Sequence, residues 1–126
     1  MAKIYLYDCN SKEMMEMESL EVAAKDALKL SLDGKPQMIK MDVSDGIYPI
    51  VSIDCESLNY VPEEKRLGNC HFQSAFGWKA NVYTDDKATH NVWGGSFNGN
   101  FNLAKDFNAK WIYLWPIDGE GMPLGI

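Results

Sequence analysis

Residues 3–43 read KIYLYDCNSKEMMEMESLEVAAKDALKLSLDGKPQMIKMDV, and the periodicity of this stretch decides the fold class. Its opening residues alternate, with Ile4 and Leu6 set against Tyr5 and Tyr7, which is the period of a strand. Asn10, Ser11 and Lys12 carry turn chemistry, and residues 13–18 return as a second strand. Ser19 is then an N-cap for a helix running to Leu32, with Glu21 in the first turn, where the helix dipole favours an acid. Leu20, Ala23, Ala24, Ala27 and Leu28 follow at helical spacing, and Asp33, Gly34 and Pro36 stop the helix. From Met38 to Val43 the period returns to that of a strand, with Ile39, Met41 and Val43 on one face.

The pattern continues outward from there. Ser44, Asp45 and Gly46 turn the chain, and Ile47 to Cys55 reads as a strand with Ile47, Val51, Ile53 and Cys55 on one face. The start of the chain is therefore β-β-α-β-β. The second half is aromatic and rich in Gly and Asn, and it reads as further strands. Phe72, Ser74 and Phe76 alternate with their neighbours, as do Trp78, Ala80 and Val82 with Lys79, Asn81 and Tyr83. Residues 62–65 suit a short helical turn, and Asp85, Asp86 and Lys87 suit a hairpin turn into a strand from Ala88 to Trp93. Gly94 and Gly95 are read as its end, and Leu103 to Ala109 as a short helix capped by Asn102. Lys110 to Pro116 alternates aromatic and aliphatic residues and forms the last strand, with Pro116 at an edge or a terminus. The expected fold is α+β, a single domain over residues 1–126 with a mainly antiparallel sheet and one N-terminal helix.

Composition narrows the function. The chain has 126 residues, 46% apolar and 24% charged, which supports one globular core and neither disorder nor two independent domains. Its net charge of −6 and its single arginine, Arg66, argue against a nucleic-acid-binding surface. The charge is uneven: residues 1–66 hold thirteen acids and eight bases (net −5), and the remainder five acids and four bases (net −1). No window resembles a signal sequence or a membrane span, and Cys9, Cys55 and Cys70 form an odd set without CxxC spacing. A soluble protein of a reducing, cytoplasmic compartment is expected.

Catalytic motifs are sparse. Cys70 and His71 are adjacent and so point to opposite faces of a strand, and His90 follows without metal-ligand spacing. The carboxylate pairs Asp54/Glu56, Asp85/Asp86 and Asp118/Glu120 have no feature that brings them together in a cleft. No catalytic residue, metal site or cofactor is assigned, and the chain is read as a non-enzyme. The segment from Trp93 to Asn102 stands out instead. Trp93, Phe97 and Phe101 recur every four residues among Ser96, Asn98 and Asn100, and rings beside amides stack on a sugar or base and read its edges. Trp78 or Tyr83 and Trp111 or Tyr113 are expected to join this site. Lys79, Lys105 or Arg66 would supply charge for a phosphate.

The leading expectation is thus a binding protein for a small polar ligand, nucleotide-like or sugar-like, with no direct nucleic-acid or membrane contact; self-association is compatible with it. The alternative is an acidic interaction module presenting Glu13, Glu16, Glu18 and Glu21 to a basic protein partner. An inhibitor that occupies a nucleic-acid-binding groove, as some phage-encoded proteins do, is of this type. A small enzyme using Cys70 or His90 ranks third. Of the methionines, Met14 and Met15 are consecutive, so at least one is expected at the surface.

Overall fold

A computed structural model describes residues 3–46, 50–52, 76–84, 91–97, 100–102, 109–118 and 120–125 of the chain. Strand β1 (Lys3–Asp8) and strand β2 (Met14–Met17) form a hairpin, followed by helix α1 (Leu20–Leu32) and strand β3 (Gln37–Asp42). Then come β4 (Ile50–Ser52), β5 (Phe76–Tyr83), β6 (Asn91–Phe97), β7 (Asn100–Asn102) and β8 (Trp111–Asp118). Six strands make one antiparallel sheet in the order β2-β1-β3-β8-β5-β6, and β4 pairs antiparallel with β7 in a separate two-stranded sheet. The fold is α+β with a β-β-α-β-β start, as the sequence predicts.

Local chemistry accounts for the elements. At the β1–β2 turn the Asp8 carboxylate accepts from the backbone N–H groups of Asn10 at 2.9 Å and Ser11 at 3.0 Å, and Lys12 adopts a positive φ of 63°. The Ser19 hydroxyl accepts from the Val22 N–H at 3.2 Å and caps α1, with Glu21 in the first turn. Gly34 leaves the helix at a φ of +84°, a conformation costly for residues with a Cβ. Below it, the Ser31 hydroxyl accepts from the Gln37 N–H at 3.0 Å, and Gln37 Nε2 donates to Asp8 Oδ2 at 3.1 Å. One buried glutamine therefore ties the end of the helix to the ends of two strands.

The core lies between α1 and one face of the sheet. Ala23, Ala24, Ala27 and Leu28 are buried there with Leu6, Ile39, Met41, Ile112, Leu114, Trp78, Ala80 and Val82. Alanines on the helix let it approach the sheet closely, and the large side chains come from the strands. Among the described residues every buried side-chain nitrogen and oxygen has a hydrogen-bond partner.

Two details differ from the sequence reading. Strand β6 does not end at Gly94 and Gly95 but runs through them to Phe97. Gly94 pairs with Asn81, and a Cβ there would come within 2.8 Å of Asn81 Oδ1, so the missing side chain makes room for its neighbour across the strands. The last strand continues past Pro116 to Asp118. Its pairing with β3 ends at Leu114, so the proline sits where β8 has lost one neighbour, and the Leu124 N–H donates to the Pro116 carbonyl from the returning C-terminal segment at 3.1 Å. Of the strand expected over Ile47 to Cys55, residues 50–52 are described, and they pair with β7 in the separate two-stranded sheet. The expected short helices at 62–65 and 103–108, the turn at 85–87 and the strand residues 71–75 lie outside the described residues.

Candidate functional site

Because side chains alternate across a pleated sheet, burying Ile39, Met41, Ile112, Leu114, Ala80 and Val82 against α1 sends the intervening residues to the opposite face. The register makes this a continuous row. Glu16 of β2 pairs with Tyr5, Tyr5 with Lys40, Lys40 with Tyr113, Tyr113 with Asn81, and Asn81 with Gly94. A parallel row runs from Asp42 to Trp111 to Tyr83, and Trp115 pairs with Lys79. All the aromatic side chains of these rows are half-buried.

The rings and cations are in contact. Lys40 Nζ lies 3.9 Å from the ring centroid of Tyr7 and 4.9 Å from that of Tyr113, a cation held between two aromatic faces. Tyr83 and Tyr113 have centroids 4.9 Å apart at an interplanar angle of 58°, and Trp111 meets Tyr113 edge-on at 6.3 Å. Lys79 Nζ stands 5.5 Å over the Trp115 ring, and Asn81 Nδ2 donates to the Tyr83 hydroxyl at 3.0 Å. Partial burial holds the Lys40 ammonium below its ordinary pKa, with the neighbouring Cys9 thiol acting in the opposite sense. Burial likewise pushes the Cys9 thiol up, helped by the charge of Asp8 and opposed by Lys40. Neither environment generates a thiolate nucleophile at Cys9. The face carries tilted and edge-on rings with two ammonium groups over them, an aromatic surface with local positive charge.

The residues expected from sequence fall in several places. Tyr83, Trp111 and Tyr113 come together on this face, with Lys79 nearby. Trp78 is 2% exposed and packs in the core, paired with Pro116, so it sits on the helix side of the sheet. In β6, Trp93 pairs with Val82, Ser96 with Lys79 and Phe97 with Trp78. Asn100 and Phe101 lie in β7, opposite Ser52 and Val51. Asn98, Arg66 and Lys105 lie outside the described residues, as do Cys55, Cys70, His71 and His90. The sequence reading missed Tyr5, Tyr7, Lys40, Asn81 and Trp115 as partners of one surface. A signal was present: tyrosine and tryptophan occupy positions in β1 and β8 where simple alternation would put charged residues.

Among the described residues, His, Cys, Asp and Glu form no group of three able to hold a metal ion, and no helix is long and apolar enough to cross a membrane. No protein-family model, curated protein or solved structure matches this chain.

Proposed function

We propose that the chain is a non-catalytic binding protein that takes a small, ring-bearing anion of nucleotide-like chemistry. The observation that carries this reading is Lys40, an ammonium laid between Tyr7 and Tyr113 on a protein whose net charge is −6. A base stacks on tyrosine and tryptophan faces for about 1–3 kcal/mol each, and a phosphate meets the ammonium groups of Lys40 and Lys79. A neutral sugar would stack on the same rings but would gain little from the two cations, which favours the nucleotide-like class. Of the residues in β6 expected from sequence, Ser96 pairs with Lys79, while Trp93 and Phe97 pair with the buried Val82 and Trp78, so the proposal rests on Tyr7, Lys40, Lys79, Tyr83, Trp111 and Tyr113.

Isothermal titration with nucleoside monophosphates, the matching uncharged nucleosides and a neutral disaccharide tests the reading. The monophosphate binds, the nucleoside binds at least about tenfold more weakly, and Lys40→Met weakens the monophosphate by a similar factor. Equal affinity for the disaccharide, or no heat with any of the three, sinks it. A second reading, an acidic module for a basic protein partner, is favoured by the exposure of Glu13, Glu16, Glu18 and Glu21 around β2 and the start of α1.

A further inference from the structure

Among the described residues β2 has one strand neighbour, β1, so it is an edge of the six-stranded sheet. Its backbone polarity follows from two hydrogen bonds at the end of β1. The Asp8 N–H donates to the Glu13 carbonyl at 2.9 Å, and the Cys9 N–H donates to the Pro36 carbonyl at 3.0 Å. Successive residues of β1 thus serve opposite neighbours, as an antiparallel ladder requires. Carried through the register, Glu13, Met15 and Met17 turn their backbone groups to β1, while Met14 and Glu16 turn theirs to the open edge.

This edge is guarded in one sense only, being short and acidic. Natural edge strands are blunted by lysine, proline or bulges, and residues 14–17 contain neither lysine nor proline. Met14 is 51% and Met15 59% exposed, large apolar side chains of adaptable shape on opposite faces of the strand. The charge around them is all of one sign at Glu13, Glu16 and Glu18, each exposed. A second copy of this chain added to β2 would bring the same three carboxylates of both copies to one seam, which like-charge repulsion disfavours.

We propose that β2 accepts an extended, basic segment of another protein as a seventh strand of the sheet. The inference rests on the acidic-face reading above and gives that reading a mode of contact. The guest strand has lysine or arginine on the face shared with Met14 and Glu16, and apolar side chains on the face shared with Met15, with backbone hydrogen bonds to Met14 and Glu16.

The probe is a blocked, fluorescent octapeptide of alternating lysine and valine, followed by anisotropy with the full chain; the control alternates glutamate and valine. Lysine–valine binds, and its affinity falls as salt rises. Met14→Pro removes one edge N–H, leaves every charge in place and spares the β1 ladder, so it weakens the peptide by at least about tenfold. Glu16→Lys weakens the lysine peptide and strengthens the glutamate peptide. If the lysine peptide does not bind, or binds without salt dependence, the acidic-face reading fails and this inference with it. Salt-dependent binding that Met14→Pro leaves unchanged overturns strand addition alone. A dimer in sedimentation that Met14→Pro dissolves also overturns it, by giving the edge to a second copy.

Discussion

Asp8 shows how much one side chain settles at the residue scale. Backbone N–H donation from Ser11, then the Gln37 amide, then the Asn10 N–H all stabilise its charged form, and together they hold its carboxyl below the usual 3.8. A carboxylate depressed in the folded state contributes stability that is present above pH 3.8 and is lost as pH falls through the lower folded value. In urea melts at successively lower pH, Asp8→Asn therefore loses less stability below pH 3.8 than the parent chain does; superimposable acid limbs would rule this out. Lys40 is linked to pH with the same sign but for the opposite reason, since burial disfavours its charged form. Its folded value is depressed and its neutral form is favoured by burial, so this group adds stability as pH rises through the alkaline range. Gly125 makes a different point: it has a φ of +89°, and a Cβ there would come 2.5 Å from the Ser31 carbonyl oxygen. The returning C-terminal segment can lie against the end of α1 only because that residue is a glycine.

At the scale of elements, α1 is secured at both ends and along one stripe. Ser19 caps the start, Gly34 leaves the end, and Ala23, Ala24, Ala27 and Leu28 are buried against the sheet. Leu28 is fully buried, so Leu28→Ala costs about 2–5 kcal/mol in denaturant melts, and Ser19→Ala costs about 1 kcal/mol. A loss below about 1 kcal/mol for Leu28→Ala would mean that the stripe is not core. These features were legible in the sequence because a cap, a period of 3.6 and a stop signal are all local. The aromatic alternation of β8 was equally legible. The continuation of β6 through two glycines was not, because its reason, the Asn81 side chain across the pair, belongs to another strand.

At the scale of the whole molecule, the strand order decides which parts are firm. The last strand is inserted between β3 and β5, so Lys40 and Tyr113 become neighbours although far apart in the chain. Pairing of this kind has to close a long loop before it gains contacts, and it completes the core only when the C-terminal strand is in place. Native-state hydrogen exchange is accordingly slowest for amides of β3, β5 and β8, and fastest among the strands of this sheet at Met14 and Glu16 on the open edge of β2. Slow exchange at those two amides in the free chain would show that the edge is already covered.

By itself the sequence determined the elements from Lys3 to Asp42, the α+β class and the acidic character of the N-terminal half. Each of these is written in short-range periodicity or in residue counts. Only the tertiary structure decided that Tyr7, Lys40, Tyr83, Trp111 and Tyr113 share one face, while Trp78, with the same alternation and the same aromatic character, lies in the core. The reason is physical. Alternation within a strand separates two sets of residues, but which set is buried depends on where the helix lands and which strands become neighbours, and both are settled by pairings between residues distant in the chain.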